Sequence, residues 1–270
     1  MGQKYGQHFL TRPSILEAIA DAAVEDLADG SSVLEIGPGR GALTDHLLAR
    51  AAHVIAIEID PVLVQYLRQK YREQIEAGKL TLIEDDILKA DISGWGPLPV
   101  VGNLPYYITS PILERLFSAR SWTRAVFLVQ AEVAERLAAN SGIVKGSKAS
   151  SRDYGYLSIV AQTQASVKIL LHVPRAAFRP PPKVESAVVQ LLPKDTVKEY
   201  GITDLPAFLR FAGVCFRQKR KTLRNNLSAA YPKEIVDKLP ESGMRAEQMS
   251  IADLVRLAGT LVKLATDERR

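Results

Sequence analysis

Ser32-Val33-Leu34-Glu35-Ile36-Gly37-Pro38-Gly39-Arg40-Gly41-Ala42 joins a short apolar run to a glycine-rich turn, and a helix-like stretch follows to residue 51. An apolar run of that length stopped by glycine reads as a buried strand. Glycines at the turn from a first strand into its helix let the backbone approach a ligand closely. Outward from this stretch, β-branched runs recur at 54–59, 80–84, 99–103 and 125–130, and helix-like segments fill 42–51, 61–77, 110–118 and 131–139. Strands alternating with helices predict a mostly parallel sheet covered on both faces. Beyond Ser141 the runs 156–165, 167–173 and 187–192 read as strands with no helix between them, the pattern of antiparallel strands finishing one edge. Residues 141–152, rich in Gly, Ser and Lys, read as a flexible basic loop. The β signal ends between 192 and 203, which predicts an α/β domain over 1–195 and a small all-helical C-terminal domain over 196–270.

The 270 residues suffice for one large domain and one small one. With 47% hydrophobic and 24% charged residues the composition is that of a globular protein and excludes a disordered or fibrous chain. No apolar run approaches the ~18 residues of a membrane span, and the polar stretch from Met1 to Pro13 lacks the apolar segment of a secretory signal. A cytoplasmic location and no membrane partner are therefore expected. The single cysteine, Cys215, excludes an internal disulfide and a cysteine-rich zinc site, and its apolar neighbours at 211–216 mark it as core. His46, His53 and His172 show no metal-ligand spacing, so no metal is expected. Charge is unevenly spread. Residues 1–136 carry 13 Lys/Arg against 18 Asp/Glu, 137–195 carry 8 against 3, and 196–270 carry 14 against 9. The basic half would attract a polyanion.

Gly37-x-Gly39-x-x-Ala42 fits a dinucleotide fingerprint. Glu58, ending the second strand 21 residues beyond Gly37, can accept hydrogen bonds from both hydroxyls of a ribose, which suits NAD or S-adenosylmethionine equally. Asp86 follows the third strand, where a carboxylate could accept from an adenine amino group, and Asn103-Leu104-Pro105-Tyr106 follows the fourth. Singly, these are a solvated strand-end carboxylate and an ordinary proline turn. Together, after consecutive strands, they converge on the one crevice that an open α/β sheet offers its ligands.

The last tetrapeptide suits chemistry on a planar aromatic amine, whose lone pair is delocalised into the ring. The Asn103 side-chain oxygen and the Leu104 main-chain carbonyl could accept the amine hydrogens and favour a pyramidal nitrogen. Pro105 stiffens the turn and offers no competing N–H, and Tyr106 offers a ring on which a base can stack. Catalysis then rests on positioning and needs no strong base. Asn103→Asp, which keeps an acceptor, is expected to keep part of the activity.

Gly102-Asn103-Leu104-Pro105-Tyr106 resembles the amine-methyltransferase motif of the rRNA adenine dimethylases. Four more segments resemble the branch that modifies the small ribosomal subunit: Gly6-Gln7-His8-Phe9-Leu10; Asp153-Tyr154-Gly155-Tyr156-Leu157-Ser158; the stretch from Val173 through Phe178-Arg179-Pro180-Pro181-Pro182-Lys183 to Val184; and Phe216-Arg217-Gln218-Lys219-Arg220-Lys221-Thr222-Leu223-Arg224-Asn225-Asn226-Leu227. The resemblance covers nearly the whole chain, and the last segment is its most specific part. It implies a Rossmann-like class I methyltransferase sheet with a small all-helical C-terminal domain and S-adenosyl-L-methionine as cofactor. It also implies dimethylation of the N6 amines of two adjacent adenines in the 3′-terminal hairpin loop of small-subunit (16S) rRNA. The protein would act as a monomer on a pre-30S particle in ribosome biogenesis. By the same resemblance His8, Leu10, Gly37, Gly39, Glu58, Asp86 and Asn103 contact the cofactor, and Tyr106 and Phe178 flank the target base. Position 8 departs from the Asn frequent in the family, Lys219 stands where Arg is usual, and about three extra residues lie at 146–148.

Arg217, Arg220, Lys221 and Arg224 follow an i, i+3, i+4, i+7 spacing that predicts one basic face of a helix, with Phe208, Phe211, Cys215, Phe216, Leu223 and Leu227 on its apolar side. Five basic residues and no acid between 216 and 227 favour phosphate binding over a merely solvated face. Arg179 and Lys183, with His172 and Arg175, extend that surface beside Phe178. Three other readings remain: a large-subunit rRNA adenine methylase of the antibiotic-resistance type, a non-catalytic nucleic-acid-binding factor on the same fold, and an NAD enzyme. The basic 216–227 segment argues against the first and the complete acceptor motif against the second. The third lacks a recognisable hydride-acceptor site.

Overall fold

The computed structural model describes residues 8–28, 30–119, 121–141 and 153–267. Gly6, Gln7 and the expected basic loop from residue 142 lie outside them. Elements follow in the order β1 (Phe9–Leu10), α1 (Pro13–Val24), β2 (Ser32–Ile36), α2 (Ala42–Leu48), β3 (His53–Glu58), α3 (Pro61–Lys70), α4 (Arg72–Glu76), β4 (Leu80–Glu84), β5 (Leu98–Asn103), α5 (Thr109–Ala119), β6 (Trp122–Gln130), α6 (Ala131–Ala138), α7 (Tyr156–Gln164), β7 (Ala165–Val173), β8 (Phe178–Arg179) and β9 (Ser186–Pro193). The helices α8 (Thr196–Tyr200), α9 (Leu205–Cys215), α10 (Leu223–Leu227), α11 (Lys233–Asp237) and α12 (Ile251–Asp267) complete them.

Seven strands form one sheet in the order β4-β3-β2-β5-β6-β9-β7. β4, β3, β2, β5 and β6 are mutually parallel, and β9 returns antiparallel to β6. Central parallel strands are covered on both faces, so their side chains are apolar in succession. Leu34 of β2 sits between Ile55 of β3 and Val100 of β5, and Val33, on the opposite face, joins a cluster with Val101, Val126 and Val188. That cluster takes in Ile15, Leu16 and Ile19 of α1 and Leu43 and Leu47 of α2. The apolar spacing of α1 and the proline at its first position are a helix signature, although α1 is not among the segments expected above. No described helix is long and apolar enough to cross a membrane.

Several expectations are corrected. The 61–77 segment is broken at Tyr71, whose φ of −110° and ψ of 27° leave the helical region. Residues 156–165, read as a strand, form α7 instead. The Ser158 hydroxyl accepts the Gly155 N–H and donates to the Arg136 carbonyl, which fixes the first turn. Because α7 buries Ser158, Ile159, Val160, Ala161 and Thr163, it has no polar face to reveal its period.

The chain divides into two compact units. Among the described residues, those up to Ala134 pack with Lys168–Pro193, and those of 135–167 pack with those from Lys194 onward. This differs from the single cut expected at 195. The apolar side chains around α7 need partners, and Tyr154 and Ile159 share a buried cluster with Phe208, Phe211, Leu254 and Leu257 of the helical unit.

Within that unit the basic segment is not one helix. α9 stops at Cys215, residues 216–221 form turns, and α10 begins at Leu223. Asn226 explains the break. Its buried side chain donates to the carbonyls of Cys215 (2.8 Å) and Gln218 (3.2 Å) and accepts the Gln218 N–H (3.1 Å). It thereby satisfies backbone groups that a continuous helix would have paired. Leu223 N–H donates to the Met244 carbonyl at 2.7 Å and ties the restart in place.

β2 also buries a carboxylate. Glu35 is 1% exposed, accepts a hydrogen bond from Thr44 Oγ1 at 2.7 Å, and is pushed by burial up to about 8. The folded state therefore keeps a proton that the unfolded chain releases, so this group's stabilisation is full below about 4.5 and lost as pH rises toward about 8. Glu35→Gln keeps an acceptor for Thr44 and removes the titration. Its melting temperature is expected to match the parent at pH 5 and exceed it at pH 8 to 9, checked by calorimetric scans; parallel curves would reject the assignment. Asn226→Ala strands buried backbone groups and is expected to cost about 2–3 kcal/mol in urea unfolding followed by circular dichroism.

Candidate active site

The sheet order places β3 and β4 on one side of β2 and β5 on the other, so the loops leaving β2 and β5 diverge and open a crevice at the strands' carboxyl ends. A cleft of about 330 Å³ lies there, lined by Gly37, Gly39, Glu58, Asp86, Asn103, Leu104, Pro105 and Tyr106, and by His8 and Leu10. Four loops that the sequence ordered one after another thus meet at one place. The cleft also takes in Phe9, Glu35, Ile59, Asp85 and Tyr107, which sequence reasoning left out. An acidic residue inside an otherwise apolar strand was a signal for Glu35, and an apolar residue immediately after Glu58 was one for Ile59.

The glycine turn adopts left-handed backbone, with φ of +67° at Gly37 and +61° at Gly39. A Cβ on Gly37 would meet no atom within 4 Å, so the missing side chain leaves open space beside the cleft. Gly102 has the opposite reason: a Cβ there would lie 2.6 Å from the Ile36 carbonyl oxygen, so only glycine lets β5 lie against β2 immediately before Asn103. Glu58 is 3% exposed. Its Oε2 accepts from Gly39 N–H, and its Oε1 from the N–H groups of Ile59 and Asp60, each at 3.0 Å. Burial raises its pKa above the usual carboxylate range, and those three donors offset part of the shift. The Asp86 carboxylate accepts from Leu88 N–H at 3.0 Å and shapes the turn after β4.

Opposite the glycines, Asn103 Nδ2 donates to the His8 carbonyl at 3.0 Å. A carbonyl only accepts, so the amide nitrogen must face His8 and Oδ1 is left as an acceptor. The turn beyond closes through Pro105, whose carbonyl accepts from Ile108 N–H and Thr109 Oγ1, and Leu104 N–H donates to the Leu128 carbonyl. Tyr106 bonds Ser186 Oγ through its hydroxyl at 2.7 Å, and its ring faces the His8 ring at 6.0 Å with 28° between planes. His8 Nδ1 donates to the Pro180 carbonyl, and β1 pairs antiparallel with β8. Residues 8–10 therefore strap the cleft from outside the main sheet.

Phe178 does not flank the cleft. It is fully buried in the core with Leu10, Val173 and Val188 and pairs with Leu10 in the two-stranded sheet, so it anchors the strap. Arg179 and Lys183 are exposed on the same unit. Arg217, Arg220, Lys221 and Arg224 are exposed too, on the turns and first residues around the 216–223 break. Arg224 is held by Asp237 through two contacts, Nε at 2.7 Å and Nη2 at 2.8 Å, so part of its charge is already spent.

The family model described as ribosomal RNA adenine dimethylase matches residues 1–263. The ribosomal RNA small subunit methyltransferase A of Acidobacterium capsulatum is 42% identical over 271 residues, covering 96% of this chain and 90% of that relative. A crystal structure of a dimethyladenosine transferase from Plasmodium falciparum superposes with a TM-score of 0.77 at 28% identity, over 96% of this chain and 98% of that one. The 23S rRNA methyltransferase ErmE follows with a TM-score of 0.70 at 26% identity, over 94% and 99%. The seven-stranded sheet is thus a Rossmann-like methyltransferase sheet. With an asparagine-proline turn facing a glycine loop, and a family match running nearly from end to end, this chain belongs to the ribosomal RNA adenine dimethylase family.

Proposed function

We propose that this chain is an S-adenosylmethionine-dependent methyltransferase that dimethylates the N6 amines of two adjacent adenines in the 3′-terminal hairpin loop of small-subunit rRNA. The observation that carries the reading is the Asn103 amide, oriented by His8 so that Oδ1 is an acceptor beside the cleft. The large-subunit alternative is less well supported, because the relatives at about 40% identity are small-subunit enzymes and ErmE stands at 26%.

The cleft suits S-adenosylmethionine. Gly37 leaves room at the turn, Glu58 presents a buried carboxylate at the end of β3, and Ile59 and Leu88 give apolar walls beside Asp86. In this reading Glu58 receives the ribose hydroxyls, Asp86 the adenine amino group, and the Gly37–Gly39 backbone the chain between them, with His8 and Leu10 closing over the top. The bound cofactor supplies an electrophilic methyl group on a sulfonium. Asn103 Oδ1 accepts a hydrogen from the target amine and favours the pyramidal nitrogen, an interaction that strengthens as positive charge develops there. Tyr106 stacks on the base. The exposed Arg217, Arg220 and Lys221 attract phosphates of rRNA in a pre-30S particle, and Arg179 and Lys183 do so on the catalytic unit. The protein works as a cytoplasmic monomer.

Asn103→Ala is expected to lower single-turnover methylation at saturating cofactor and rRNA by about a hundredfold or more, with rRNA affinity changed far less. Asn103→Asp sets a carboxylate oxygen against the His8 carbonyl in place of a donor. It is therefore expected to be about as impaired as the alanine variant, not partly active. Near-normal turnover by folded Asn103→Ala enzyme would reject the mechanism. Replacing Arg217, Arg220 and Lys221 with alanine is expected to flatten the log–log salt dependence of rRNA binding by about 0.7–0.9 per lost phosphate contact. Adding Arg224→Ala is expected to flatten it less, because Asp237 already holds that guanidinium. A filter-binding salt series measures both.

A further inference from the structure

We propose that Tyr71, with Lys70, is a positioning residue for the cofactor loop, bracing its backbone from the side away from the cleft. The helical stretch between β3 and β4 breaks at Tyr71, and the break brings its 3%-exposed side chain against the end of the glycine loop. The Tyr71 hydroxyl lies 2.6 Å from the Gly41 carbonyl oxygen and 2.6 Å from Asp45 Oδ1, so its one proton is shared between two acceptors. Lys70 Nζ pairs with Asp45 Oδ2 at 2.8 Å and reaches the carbonyls of Arg40 at 3.3 Å and Gly41 at 3.5 Å. It also lies 4.6 Å above the Tyr71 ring.

Gly41 is shaped for this contact. Its φ is +81°, and a Cβ there would collide with the Tyr71 hydroxyl oxygen, so the missing side chain is the space the hydroxyl fills. Arg40 and Ala42 line the cleft on either side of Gly41, whereas Tyr71, Lys70 and Asp45 do not. The brace thus grips main chain whose other side borders the cleft. A loop held in place before binding loses less freedom when a ligand arrives. Without the brace cofactor affinity falls, while the acceptor turn at 103–106, built on β5, keeps its geometry. The inference rests on the reading of residues 37–41 as the cofactor loop.

Tyr71→Phe removes the hydroxyl and keeps the ring. Calorimetric titration of the full-length protein with S-adenosylmethionine is expected to give a Kd raised roughly tenfold, the loss of one charge-assisted hydrogen bond. KM for the cofactor should rise equally, with kcat within about twofold of the parent. Lys70→Met, on a more exposed side chain, is expected to raise Kd by roughly two- to threefold, and keeps the test open should Tyr71→Phe fail to fold. Unchanged Kd in the folded variants, even with a lowered Tm, would overturn the brace, as would a fall in kcat at unchanged KM. Glu58→Ala separates the two readings. Weak binding by Glu58→Ala with normal binding by Tyr71→Phe rejects only the brace, and normal binding by both rejects the cofactor loop itself.

Discussion

A carbonyl oxygen can accept a hydrogen bond and cannot donate one, and the 3.0 Å contact from Asn103 to the His8 carbonyl turns that rule into the geometry of the site. With its nitrogen committed to His8, the amide keeps Oδ1 as an acceptor, which the proposed mechanism gives to a substrate amine. The contact exists because two distant pieces of chain are brought together. Gly102 lets β5 lie close against β2 and delivers Asn103 to the rim. The strap bearing His8 is held by the β1–β8 pairing, by Thr11 bonding the Ala177 carbonyl, and by Phe178 in the core beneath. Phe178 therefore supports the strap that meets Asn103 from the core, without lining the cleft.

The other side of the cleft shows how a buried sheet tolerates carboxylates. Desolvation dominates at both Glu35 and Glu58 and favours the protonated form. They are relieved differently. Glu58 gathers three backbone N–H groups at the end of its strand, where the chain turns and donors are unpaired. Glu35, inside β2, has the Thr44 hydroxyl. The strand-end carboxylate has its burial partly offset by backbone donors, and the mid-strand carboxylate carries the larger pH cost.

Much of this was legible in the sequence because buried parallel strands are short, apolar and β-branched, and glycine, Asn and Pro punctuate their ends. β2 and β4 fall on the expected bounds, and Gly37, Glu58, Asp86 and Asn103 line one cleft as their order along the chain implied. What was not legible depends on tertiary partners. The 156–164 segment carries Ile159, Val160 and Thr163, which suggest a strand, and becomes a helix because nearly every face is buried and Ser158 caps it. The i, i+3, i+4, i+7 spacing of Arg217, Arg220, Lys221 and Arg224 suggested a helix that Asn226 interrupts by bonding Cys215 and Gln218. Nor does sequence disclose that Phe178 faces the core, since an aromatic residue beside prolines serves either place.

The most direct test of the whole reading is the identity of the modified nucleoside. Purified protein would be incubated with methyl-labelled S-adenosylmethionine and undermethylated small or large ribosomal subunits, and the RNA digested for nucleoside mass spectrometry. The structure and the family lead to label as N6,N6-dimethyladenosine in small-subunit RNA alone, at two adjacent adenines of the 3′-terminal loop. Label in large-subunit RNA, on another nucleoside, or in neither subunit would contradict it.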